Sequence, residues 1–142
     1  MTRKRFFLSH SEEALHRDQR GQAMVEFALT FLLVLTVLIG MIEFSSAIYT
    51  KTVLSDAVNE GMRYLIVNNT DQAGTTAVIQ NYARLSLHNT SAMTITYSPS
   101  TGPYPPPTLV TITVSYPYLP YIAHFMKNPP TLTAFAEGRT VH

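Results

Sequence analysis

The sequence predicts an α+β protein. A long N-terminal helix, membrane-spanning in its first half and amphipathic in its second, packs on a small antiparallel sheet. Three patterns carry that expectation. Residues 27 to 42 hold no charged side chain; Leu54 to Leu65 repeat apolar residues at three- and four-residue steps; and two segments near the C-terminus alternate apolar with polar at period two.

The apolar stretch comes first. Its sixteen residues cover about 24 Å as a helix, slightly less than the roughly 30 Å of hydrocarbon that a spanning helix must cross. Ala23, Met24 and Val25 on one side and Phe44, Ala47 and Ile48 on the other make up the difference, placing Glu26 and Glu43 near opposite interfaces. Five of the ten Lys and Arg residues (Arg3, Lys4, Arg5, Arg17, Arg20) precede Gly21, whereas Lys51 alone follows the span closely. This imbalance predicts a single span with a cytoplasmic N-terminus and an exported C-terminal part. Thr36 and Gly40 form one small-x-x-x-small pair, read as ordinary glycine usage in a membrane helix.

Beyond Ile48 the helix narrows to a stripe of Leu54, Ala57, Val58, Gly61, Met62 and Leu65. Asp56, Asn59, Glu60 and Arg63 lie on the opposite face, with Glu60 and Arg63 spaced for a weak surface pair. Asn68-Asn69 reads as the stop, so one helix is expected from about Gln22 to Val67. A second helix is expected after Thr75 or Thr76 as cap, with Ala77, Val78, Tyr82 and Leu85 on its apolar side, ending at His88-Asn89. Met93, Ile95 and Tyr97 then alternate with Thr94, Thr96 and Ser98, as do Val110, Ile112, Val114 and Tyr116 with Thr111, Thr113 and Ser115. Leu132, Ala134 and Ala136 offer a third strand. The Pro-rich stretches 99 to 107 and 117 to 130 mark loops. Leu54, Val58, Met62 and Leu65 are expected to face Met93, Ile95, Val110, Ile112 and Val114, because the residues from 49 onward make a small domain that needs the helix to complete its core. The chain divides accordingly into a basic prefix (1–21), a transmembrane part (22–48), an amphipathic extension (49–67) and an exported α+β domain (68–142).

Composition excludes several classes of function. Cysteine is absent, which rules out disulfides, thiolate zinc sites and a cysteine nucleophile. No basic stripe with interleaved aromatics follows the span, so a nucleic-acid partner is not expected. His10, His16, His88, His124 and His142 show no metal-ligand spacing. There is no phosphate-binding Gly-rich loop and no G-x-S-x-G elbow, and Asp56, Glu60, Asp71 and Glu137 read as scattered surface acids. The expectation is a non-enzyme with no cofactor, no metal and no small-molecule substrate. Asn68-Asn69-Thr70 and Asn89-Thr90-Ser91 match the glycosylation pattern, read as chance. Tyr97, Tyr104, Tyr116, Tyr118 and Tyr121 gather around the Pro-rich loops, either as the edge of the core or as an adhesive patch.

Arg20-Gly21-Gln-Ala-Met-Val-Glu26-Phe27-Ala28-Leu29, then Glu43-Phe44 about one span later, then Asn59-Glu60-Gly61-Met62-Arg63-Tyr64, together resemble the TadE-like family. Its members are pilin-like minor components of tight-adherence (Flp) pilus systems. The resemblance extends to the Thr-rich strand 108–116 and the tail 131–139, and implies a pilin-like fold. It implies that a membrane-embedded prepilin peptidase cuts between Gly21 and Gln22, removing the leader. It further implies that Glu26 and Phe27 serve subunit assembly, and that the partners are this peptidase, other pilins and pseudopilins, and inner-membrane lipid. Glu26 then has two readings: an anion favoured by the helix N-terminus, or the partner of the new α-amine of Gln22. Glu43 is read first as solvated at the headgroups, and Arg17 and Arg20 as topology determinants or as anchors for the cut site.

Two other readings are open. A plain single-span, membrane-anchored extracytoplasmic binding module would leave the Gly21 junction uncut. A secreted protein would be cut after Ser45-Ser46-Ala47, although the apolar stretch exceeds the usual signal-peptide length.

Overall fold

The computed structural model describes the backbone of residues 3–87, 89–120, 128 and 130–141, with side chains from Gly21 onward in those stretches. Helix α1 (Arg3–Val67) is followed by helix α2 (Gln72–Arg84), a 3₁₀ turn at Thr90–Ala92, and strands β1 (Thr94–Ser98), β2 (Leu109–Pro117) and β3 (Thr131–Arg139). The strands form one antiparallel sheet in the order β1-β2-β3. The chain separates into two units, residues 1–42 and 43–142.

The first unit is helix throughout its described length. It starts well before the expected Gln22 because residues 3 to 20 hold neither proline nor glycine, the two residues that most readily stop a helix. From Met24 to Ile42 its large apolar side chains are all exposed. Within Gly21–Val67 lies a window apolar enough, and long enough, to cross a membrane.

The second unit carries the core. Leu54, Ala57, Val58, Met62 and Leu65 of α1 are buried in one cluster with Met93, Val110, Ile112 and Val114, and Ile95 packs against that cluster. The stripe and the strands therefore meet as their periodicities require. The register explains the inner face of the sheet: Ile95 pairs Val114 and Tyr97 pairs Ile112 on one side, while Val110, Ile112 and Val114 pair Gly138, Ala136 and Ala134 on the other. Opposite these three residues β3 presents only small ones, with Leu132 packing at the end of the same face beside Tyr116. At Gly138 a Cβ would stand 2.7 Å from Met62 Sδ and 2.8 Å from Ile66 Cδ1, so α1 seats directly over the backbone there.

Helix α2 departs from the sequence expectation at its start and in its facing. Its N-cap is Asp71, whose Oδ1 accepts from Gly74 N at 2.7 Å. Thr75 is instead buried inside the helix, its hydroxyl donating to the Asp71 carbonyl. An aspartate can cap as well as a threonine, and the tight Asn68–Asp71 turn, closed by Asp71 N donating to Asn68 O, brings the cap forward. The buried face is Thr75, Ile79 and Ala83, whereas Tyr82 and Leu85 are exposed. The reason lies across the contact, where Ile79 covers Gly61 of α1 so closely that a Cβ on Gly61 would collide with it. A crossing this close selects short neighbours over Tyr82 and Leu85. His88, the expected end of the helix, lies outside the described residues, and the helix itself ends at Arg84.

The Pro-rich stretch 99 to 107 forms no strand and folds back through Tyr104. This side chain is buried, its hydroxyl donates to Pro99 O at 3.0 Å and meets Gln72 Nε2, and its N–H donates to Asn69 O. In the second stretch, Pro117 is the last residue of β2, paired with Thr131, rather than the first of the loop. Residues 121–127 and 129 lie outside the described residues.

Candidate functional site

Gly21, Gln22, Glu26 and Phe27 all sit on exposed turns of α1. Gly21 has open space around the position of a Cβ. The helix continues through it, so the Gly21–Gln22 peptide bond is held in helical geometry. Gln22 and Glu26 are one turn apart and share a face of the helix. Phe27 stacks on Phe31 with ring centroids 6.1 Å apart and planes 19° from parallel. Along the apolar stretch the hydroxyls turn inward: Thr30 donates to Glu26 O at 2.9 Å and Thr36 to Leu32 O at 2.8 Å. Each hydroxyl is thus satisfied within the helix, as a hydrocarbon surround demands.

Glu43 opens the second unit. The Tyr118 hydroxyl reaches both its carbonyl oxygen and its Oε2, each at 3.3 Å, and Tyr118 itself is buried. Glu43 is therefore engaged by the domain, beyond the headgroup solvation expected of it. Of the five loop tyrosines, Tyr104 and Tyr118 are buried, Tyr97 and Tyr116 are partly buried against the core, and Tyr121 lies outside the described residues. Tyr104 belongs to the core itself, and the other three described tyrosines sit at its edge.

Asp71, taken from the sequence as a surface acid, is a structural residue. The Gly74 backbone N–H and then the Tyr64 hydroxyl, which donates to Oδ2 at 2.8 Å, hold its carboxyl below the usual aspartate range. The same bond to Asp71 raises the Tyr64 phenol. Burial, ahead of its other interactions, raises that of Tyr97. Glu60 and Arg63 form the expected pair at 3.8 Å, well exposed to solvent. Among the described residues no three His, Asp or Glu side chains come together to hold a metal ion. The Asp71 cap was legible in principle as an acid three residues before a glycine. The Glu43–Tyr118 bond spans 75 positions and has no local signal.

These features define a class: among the described residues one helix is apolar enough to span a membrane, and residues 43–67 of the same helix belong to a small α+β domain. Residues 21–63 match the model of the family described as TadE-like protein, so this stretch of the chain is similar to that family. The matched segment begins at Gly21 and lies wholly within α1; the strand segments 108–116 and 131–139 fall outside it. No curated protein and no solved structure matches the chain.

Proposed function

We propose that this chain is a minor pseudopilin of a tight-adherence (Flp) pilus system, taking part in pilus assembly and so in surface adherence. The observation that carries the reading is the TadE-like match starting at Gly21, at the head of a helix that holds no charged side chain from residue 27 to residue 42. The protein sits in the inner membrane with its N-terminus in the cytoplasm and its α+β domain exported, as the Lys and Arg bias before Gly21 favours. It is not an enzyme.

A prepilin peptidase cuts between Gly21 and Gln22. Because that bond is helical in the uncut chain, the helix must open locally to present it, and glycine lowers the opening cost by about 1 kcal/mol relative to alanine while presenting no side chain to the attacking water. Cleavage leaves a positive α-amine on Gln22. Glu26, one turn away, pairs with that amine within the subunit or in a neighbour. An unpaired charge deep in a bilayer costs about 3 kcal/mol, so this pairing sets the register of a subunit leaving the membrane. Phe27, stacked on Phe31, supplies the adjoining apolar surface for neighbouring pilins and pseudopilins.

The test is the mature N-terminus. Sequencing of the protein isolated from native envelope is expected to begin at Gln22. A chain beginning at Met1 or Thr2 overturns the proposal in favour of an uncut membrane-anchored binding module, and one beginning at Ile48 in favour of a secreted protein.

A further inference from the structure

The eight residues from Glu43 to Thr50 are organised in reverse of the rest of the helix within the domain. Their large apolar side chains, Phe44, Ile48 and Tyr49, are 69%, 51% and 57% exposed, while Glu43, Ser46, Ala47 and Thr50 are the half-buried or buried positions. Thr50 spends its hydroxyl on its own helix, donating to Ser46 O at 2.9 Å. From Val53 onward the order inverts, and Leu54, Val58, Met62 and Leu65 face inward. Detaching the first segment therefore exposes little apolar surface, whereas detaching the second opens the core. A hydrogen-bonded fastening at its far end comes from Tyr118. That residue is pinned at the end of β2 by its N–H donating to Pro130 O at 2.9 Å, and its hydroxyl reaches the Glu43 carbonyl and carboxylate.

We propose that residues 43–50 form a releasable seam, fastened by Tyr118, that can come away from the exported domain while the core from Val53 onward stays folded. Closed, the seam makes these two turns part of the domain. Open, it adds them to the free helix, lengthening that helix by about 12 Å at the rise of an α-helix. The inference stands on the domain's own packing and does not depend on processing at Gly21.

The experiment uses the full chain in detergent micelles, where the absence of cysteine makes an introduced thiol the sole target. Labelling of Thr50→Cys and of Leu54→Cys by a membrane-impermeant maleimide is followed with and without Tyr118→Phe. A hydroxyl bonded to a charged acceptor is worth roughly a tenfold change in the opening equilibrium or more. Tyr118→Phe is therefore expected to speed labelling at position 50 about tenfold and to leave position 54 unchanged. An unchanged rate at position 50 overturns the proposal. Equal acceleration at both positions also overturns it, since Tyr118 would then support the whole domain rather than a separable seam.

Discussion

Gly61 and Ile79 meet at the crossing of α1 and α2, and the meeting fixes the sign of a substitution. A Cβ at position 61 would fall 2.7 Å from Ile79 Cδ1 and closer still to Cγ1, an atom too near the backbone to swing away freely. Overpacking of this kind costs about 1–3 kcal/mol. Against it stands the helix preference for alanine over glycine, worth about 1 kcal/mol. The net expectation for Gly61→Ala is a loss of about 1 kcal/mol. Ile79→Ala, at a fully buried position, should itself cost about 2–5 kcal/mol by leaving a cavity. With that cavity present a methyl group at position 61 has room, so Gly61→Ala in the Ile79→Ala background should stabilise by up to about 1 kcal/mol. The coupling across the double-mutant cycle is then about 2 kcal/mol. Urea unfolding of the full chain in micelles, followed by near-UV circular dichroism, measures it: there is no tryptophan, and all eight tyrosines lie beyond residue 48, so the tyrosine signal belongs to the α+β domain. If Gly61→Ala destabilises both backgrounds equally, the contact does not govern the crossing and the reasoning is refuted.

Leu54→Ala should cost about 2–5 kcal/mol by the same unfolding assay, whereas Leu85→Ala, at a side chain 85% exposed, should change stability by less than about 0.5 kcal/mol. Equal losses would restore Leu85 to the apolar face that the sequence suggests. Asp71 has a lowered folded-state carboxyl, so its contribution is present above the unfolded value of about 3.9 and fades as pH falls through the lower folded value. The stability gap between wild type and Asp71→Asn should accordingly shrink below about pH 4, and a pH-independent gap in a titration of unfolding midpoints would contradict the cap geometry. In the native host, Gly21→Trp should block maturation, seen as an unprocessed band on immunoblots. Glu26→Ala should be cut normally yet assemble few pili, counted by electron microscopy; normal piliation would remove the assembly role of Glu26.

Much of the fold was readable because it rests on periodicity. The exposed span, the Leu54–Leu65 stripe and the alternating strands each present one kind of surface at one repeat, and burial follows that repeat residue by residue. What escaped reading depends on pairs distant in sequence. The facing of α2 is decided by Gly61, eighteen residues before Ile79, so the apolar residues Tyr82 and Leu85 look like core until the crossing partner is known. Ala134 and Ala136 were legible as the inward side of the third strand, but Gly138 carries no apolar weight in a sequence pattern, yet α1 seats directly over its backbone. At the candidate site, the sequence points to Gly21, Gln22, Glu26 and Phe27 by their place at the head of the apolar run, and all four lie exposed on α1. The engagement of Glu43 by Tyr118 was not legible, since nothing near either residue announces the other.

The boundary after Ile42 has a practical consequence for anyone handling this molecule at the bench. Every buried apolar residue of the described core lies on its C-terminal side, and the long run of outward-facing Leu, Val, Ile and Phe lies on the other. An expression clone opening at Glu43 would keep the whole folded interior, including the Tyr118 fastening, and shed the part that demands detergent.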